Sequence, residues 1–515
     1  MKVLLVLLLS LGGVPDFESA VLFLTGAPSI EDLDETTLER YRALQLRPLE
    51  LNTCSRSRLV SSELMNAFQA ASLLDWRNRS GDILSYTELA LVDGFSQEYA
   101  EALKPFTSLS SQDPPGKRRS RRLYQNISLS GAVRSDGEDA ESRWGVKYKA
   151  DLGKTAELYW STRTAYSDKS PGIGTVSAAV YGRRHLGKLI LGHYNARFGQ
   201  GLNMWSGFSM QPWSSVSALR KNGTGFSPTG SYSPSHCGAA VDMEFGRWTA
   251  SAAYSVKEKI PMGALSFTGR RFTAGATVRP GGAGVDFKIG LPSVGLFGEF
   301  CWQGRPDAAL GVRWLPAYGT EVAALARYSA GLPEAAAGVS ARSLASVMYW
   351  SPKQLRAFFK YSPSITAGPF VLAPSLRLAA CRKDSWRLEA RGEMQADVLK
   401  WMAHARLDIV KCAGLSWLFN AEAGRSEGRL RAWLRWTLFK VENWDDRIYV
   451  YERDAPGSFN VPAYYGKGWA LSLAGTWKIA RRHTVYYRAS YVEYPWMSEN
   501  KKPKLEVKLQ YQLSL

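Results

Sequence analysis

Lysine and arginine recur at every second position in several extended stretches, and this spacing is where the sequence offers chemistry. In WGVKYKADL, Lys147 and Lys149 alternate with apolar residues. In RLRAWLRWTL the alternating cations are Arg429, Arg431 and Arg435; Arg488 lies in TVYYRASY, and Lys504 and Lys508 in the final stretch. Residues i and i+2 of an extended chain share a face, so these cations line one surface. Inside a low-dielectric wall such a surface attracts anions. Asp151, Glu157 and Glu506 lie on polar faces too, which leaves internal ion pairing as the alternative. A second candidate is KNGTGFSPTGSYSP. There Lys221, Asn222, Gly223 and Gly225 could form a backbone nest for an anion, or simply a loop or inward-folded constriction.

Other chemistries lack support. The histidines (His185, His193, His236, His404 and His483) are scattered, with neither HExxH nor GxSxG. No catalytic residue and no cofactor is expected, and the chain does not read as an enzyme. Cys54, Cys237, Cys301, Cys381 and Cys412 lie far apart, which suits neither a zinc site nor a disulfide framework.

Positioning those cations requires strands. The chain ends in KLEVKLQYQLSL, where Leu505, Val507, Leu509, Tyr511, Leu513 and Leu515 alternate with polar residues to the last position. Similar segments, separated by Gly, Pro, Asp and Ser clusters, fill the last three quarters of the 515 residues, and 46 Gly, 18 Trp and 24 Tyr fit many short strands. An open sheet of this size would expose edges and need a second layer. A closed barrel removes the edges and presents its apolar face to lipid. The expected fold is therefore mainly β: a large transmembrane antiparallel barrel over 123–515, of roughly 16–22 strands, its last strand closing on the first near Leu123–Ser135.

Ahead of it, MKVLLVLLLSLGG has the basic and apolar parts of an export signal, read as residues 1–20 with cleavage near Ala20. Residues 21–108 read as a small helical domain in the periplasm. In SIEDLDETTLERYRAL, Ser29 is the expected cap, with Glu31 and Asp32 in the first turn; further helical patterns cover Arg56–Arg77 and Ser96–Phe106. SLSSQDPPGKRRSRR supplies a basic linker, 109–122. The formal charge of +19 favours an anionic partner.

The segment from Leu51 to Phe106 resembles the tandem helix-hairpin-helix module of competence-type DNA receptors. Leu51, Asn52, Thr53 and Ser55 match its opening, Trp76 and Arg77 its Tyr-Arg pair, Thr87, Glu88 and Leu89 the lead into the second hairpin, and Lys104, Pro105 and Phe106 its close. In that family two glycines per hairpin let backbone N–H groups approach a DNA phosphate. Here the first hairpin reads Leu64-Met65-Asn66 and the second Gly94-Phe95-Ser96, so the grip is degraded. With FGQGLNMWSGFS, KNGTGFSPTGSYSP and DDRIYVYERDAPGSFNVPAYYGKGWAL, the chain resembles helix-hairpin-helix outer-membrane barrels of Bacteroidetes-type bacteria. That resemblance implies the outer membrane of a Gram-negative cell, with lipid around the barrel. The functional expectation is a channel or docking protein for an anionic or other substrate. The alternatives are nucleic-acid uptake through the helical module, and a non-transporting scaffold for a periplasmic protein partner.

Overall fold

The computed structural model describes residues 17–27, 30–110 and 123–515, apart from positions 138, 154, 168–169, 173, 183–184, 292, 318, 426, 457, 459 and 498–500. The export signal up to residue 16, Ser29 and most of the basic linker lie outside the described residues. Among the described residues no helix is long and apolar enough to cross a membrane.

Residues 124–514 form one closed antiparallel barrel of 24 staves. The first strand, Tyr124–Ser135, pairs with the last, Lys504–Ser514, from Asn126↔Ser514 to Ser135↔Leu505. The two backbone hydrogen bonds exchanged by Gln125 and Leu515 continue the seam. The alternating ending is thus stapled into the wall, as its pattern requires. The stave count runs past the 16–22 expected from segment counting. Between His236 and Tyr361 many strands are only eight to ten residues long and turn in two to four residues, so neighbouring staves read as one segment.

The alternation sorts side chains to two sides. On strand Leu430–Val441, Leu430, Leu434 and Trp436 are 54%, 51% and 42% exposed, while Arg435 and Thr437 are 7% and 1%. Apolar residues therefore face outward and charged ones inward, the reverse of a soluble protein. Exposed tryptophans collect near both ends of the staves: Trp248, Trp314, Trp401 and Trp477 at one rim, Trp302, Trp350, Trp386 and Trp417 at the other. Leu265, Val285, Leu310, Met348, Leu407 and Leu473 fill the band between.

The two rims differ. At the rim holding the start of the first strand and the end of the last, every connection is a short turn. The opposite rim carries the long connections, 198–235 and 442–465 above all. Both of these fold back into the lumen.

The helical segment fills the mouth at the short-turn rim. Its helices are α1 (Phe17–Thr25), α2 (Glu35–Leu46), α3 (Arg56–Ser61), α4 (Ala67–Ser80), α5 (Tyr86–Leu89) and α6 (Gln97–Leu103). Leu38, Tyr41, Leu59, Leu73, Leu103 and Phe106 form its core. The parallel pairing of Leu49–Glu50 with Thr107–Ser108 ties its middle to its end. The segment is not a separate body beneath the barrel, because its polar surface is bonded to inward-facing wall residues on both sides of the lumen. α2 begins later than the sequence suggests: Ile30–Asp32 is a single 3-10 turn and Asp34, accepting from the Thr37 N–H, is the cap. The apolar stretch at the expected cleavage point is also structured. Ala20 and Val21 of α1 are buried in the plug core, and Phe17 packs edge-on against Phe106.

Candidate functional site: a basic crevice between plug and wall

The plug is held to the wall by ion pairs. On one side, Arg58 of α3 meets Asp151 at 3.3 Å and Glu157 at 2.6 Å, and Arg47 meets Asp151 at 3.4 Å. Arg197 binds Glu63 at 2.5 Å, and Glu63 also pairs with Arg40. Across the lumen, Glu31 pairs with Arg406 and lies 3.7 Å from Arg391, while Asp408 takes both guanidiniums at 2.6 and 2.8 Å. The Tyr451 N–H donates to Glu31 from the long loop 442–465. Burial alone would raise the Glu31 carboxyl; the two guanidiniums and that N–H outweigh it and hold the group well below the carboxylate range.

The inward-folded loops are pinned in a similar way. The Glu299 carboxylate accepts from the N–H groups of Gln200, Leu202 and Asn203 at 2.6, 3.0 and 3.0 Å. This explains the FGQGLN sequence: Gly199 and Gly201 have φ of +58° and +78°, and a Cβ on Gly199 would lie 2.7 Å from the Glu299 carboxylate. Asp446 likewise accepts from the N–H groups of Cys412, Ala413 and Gly414.

Between plug and wall, on the side of the first three strands and the last, two cavities lie along the inner face. The one toward the short-turn rim has a volume of about 210 Å³. Its lining contains Arg40, Arg42, Arg47, Arg58, Lys147 and Lys149 against Glu39, Glu50 and Asp151. The second, about 40 Å³, lies toward the long-loop rim and contains Arg143, Lys147, Arg163 and Lys508 against Asp454. Many of these charges are matched, Lys508 with Asp454 at 2.7 Å for example. Four are not: among the described residues Arg42, Lys149, Arg143 and Arg163 make no ion pair with a carboxylate. Lys149 sits 5.1 Å from the Tyr159 ring, Arg143 4.7 Å from that of Tyr166 and Arg163 4.2 Å from that of Tyr232. On strand Ala140–Asp151 the inward residues Arg143, Lys147 and Lys149 span about 20 Å at strand rise.

The residues singled out in the sequence separate into groups. Lys147 and Lys149 line the larger cavity. Arg435 is buried against Glu422 at 2.7 Å and the Tyr451 carbonyl at 2.6 Å. Arg488 is buried between Glu452 and Glu506. These two are neutralised by internal pairing, so they are not free lumen cations. Arg429 is exposed in the short-turn rim, and Arg431 is partly buried with its Nε unpartnered. Lys504 is exposed at the opposite rim.

The Lys221 stretch lies inside the lumen, as an inward fold requires. The Lys221 N–H donates to Gln200, its ammonium lies 4.9 Å from the Trp205 ring, and Lys288 donates to its carbonyl and to Asn222. Burial, with Arg327 nearby, pushes the Lys221 ammonium down to about 8. Gly223 packs on the Arg197 backbone, and Gly225, at φ +71°, begins a short strand against Arg197. In the helical segment Asn66 closes a capping box with Gln69, Ser96 caps α6 through the Tyr99 N–H, and the Gly94 carbonyl accepts from Gln69. One helix-start N–H at each of these two positions, that of Gln69 and that of Tyr99, is thus taken by the chain's own side chain.

Sequence reasoning did not reach Arg42, Arg47, Arg143, Arg163 or Tyr232. Arg143 is in step with Lys147 on one strand face and was legible; the plug arginines were not, because helix periodicity does not say which wall a helix faces.

Neither a protein-family profile nor a curated protein matches the sequence. Solved structures similar to the chain include three proteins of Pseudomonas aeruginosa, among them the outer membrane protein OpdK. OpdQ has 9% identity and a TM-score of 0.34, over 76% of this chain and 98% of that one. OpdK has 8% identity and a TM-score of 0.35, over 76% and 99%. OccK2 (OpdF), solved with glucuronate, has 8% identity and a TM-score of 0.34, over 76% and 98%.

Proposed function

We propose that the protein is an outer-membrane channel for small anionic solutes, held closed by its N-terminal helical plug. A closed apolar-faced barrel with tryptophan girdles is the form a β-protein takes in a bilayer. The short-turn rim corresponds to the periplasmic side of such barrels and the long-loop rim to the outside.

The observation that carries the solute class is the set of four cations along the crevice, Arg42, Lys149, Arg143 and Arg163, none of which makes an ion pair with a described carboxylate. Buried between low-dielectric walls, unmatched positive charge lowers the energy of an entering anion and raises that of a cation. Many of the other lumen charges are paired, and that pairing holds the plug and loops in place.

Reversal potentials of the full chain in planar bilayers under a salt gradient test this reading. Anion preference is expected. Cation preference, or no conductance in any state, overturns it.

A further inference from the structure

Resting on that reading, we infer that the anion passes through the crevice beside α2 while the plug stays seated, and that Lys147 and Glu39 form the gate. Four residues, Ser128, Lys147, Pro456 and Gln510, line both cavities, so the two meet there. Lys147 Nζ lies 2.7 Å from Glu39 Oε2 and 3.8 Å from Glu35 Oε1, both on α2. It also lies 4.3 Å from the ring of Tyr232, which comes from the inward loop 198–235. One ammonium therefore joins wall, plug and loop where the two cavities meet.

The chemistry suits an electrostatic gate. An anion arriving from the Arg143 and Arg163 side meets an ammonium already holding a carboxylate. It can take the place of Glu39 by a side-chain rotation, without moving α2. Beyond the gate it enters the larger cavity, where Lys149 and Arg42 make no ion pair with a described carboxylate. Glu35 Oε1, 3.8 Å from the same ammonium, is buried without a hydrogen-bond partner, so a second carboxylate on α2 competes with an anion for Lys147. The volume of about 210 Å³ admits a small carboxylate- or phosphate-bearing solute, not a polymer.

Moving the whole plug is the costlier route. It breaks the Arg58, Arg47 and Arg197 pairs on one wall and the Glu31 latch on the other, each leaving a buried charge. The crevice route needs only the Lys147 pair.

The test uses full-length variants in planar bilayers, each first shown to be a closed barrel by heat-modifiable migration in gels. Chloride, acetate and phosphate serve in turn as the anion, so that carboxylate and phosphate are told apart. Lys147→Gln is expected to lower anion preference roughly fivefold, since a partly buried charge leaves the path. Glu39→Gln is expected to raise open-state occupancy, and Ser128→Trp to abolish the current. A wild-type chain that prefers anions, with current unchanged in Ser128→Trp and Glu39→Gln but raised by Glu31→Gln, overturns the gate and shows plug displacement instead. A wild-type chain that prefers cations or never conducts overturns the underlying channel reading as well.

Discussion

Glu31 shows how one residue joins three parts of the molecule. Its carboxylate is bonded to Arg406 and the Tyr451 N–H and lies near Arg391, so a 3-10 turn of the plug, two wall strands and an inward loop meet there. Its folded state favours the charged form. The contribution is therefore complete above the ordinary value of 4.5 and fades as pH falls toward the depressed folded value. Glu31→Gln removes it at neutral pH and leaves the two arginines with Asp408 and, 3.8 Å from Arg406, Glu393. The expected loss is about 3 kcal/mol of plug attachment. Trypsin cleavage of the helical segment in the intact barrel should rise in the variant at neutral pH, and pepsin cleavage of the wild type should rise as pH falls below 4.5. Wild-type resistance unchanged at acid pH would show that the latch does not depend on this carboxylate.

At the scale of elements, two devices shape the lumen: a helical plug from one rim and two loops folded in from the other. The loop 198–235 depends on Glu299 and on the backbone turn that Gly199 and Gly201 allow. Glu299→Ala leaves three N–H groups without their acceptor, and about 3 kcal/mol is expected to be lost locally. Gly199→Ala introduces a Cβ at φ +58°, against the carboxylate, at a cost of about 1 kcal/mol or more. In both variants the barrel should persist while protease sites open within 198–235. Loss of the barrel itself would mean that Glu299 supports the wall and not the loop. The exposed glycine in a surface turn, Gly246, has open space around its Cβ position and serves as a control for glycine substitution.

For the whole molecule, the sign of burial is the governing fact. Charged residues such as Arg406, Asp408, Glu422, Arg435 and Arg488 are buried inside, whereas leucines and tryptophans are exposed outside. Such a surface needs hydrocarbon around it. The purified protein is expected to require detergent to remain monodisperse, with circular dichroism dominated by β-structure. Monodispersity in plain buffer, or a mainly helical spectrum, would contradict the barrel. The mechanism of closure follows from the same fact. A lumen lined with charges on a 24-stave circumference is too wide for side chains to fill, so chain segments must fill it, and ion pairs are the contacts available to them.

Period-2 alternation determined the barrel, its outward apolar face and the meeting of the last strand with the first, because strand geometry sends alternate side chains to opposite sides wherever the strand lies. It placed Lys147 and Lys149 on the inner face for the same reason. It did not distinguish them from Arg435 and Arg488, which have the same local pattern but meet Glu422 and Glu506 on the neighbouring strands and Glu452 from the inward loop. Nor did it place the helices within the mouth, cap α2 at Asp34, or show that Gly199 and Gly201 curl around a carboxylate about a hundred residues away. Local sequence fixes which face a residue occupies; which charge it meets depends on what fills the space opposite, and only the closed tertiary structure decides that.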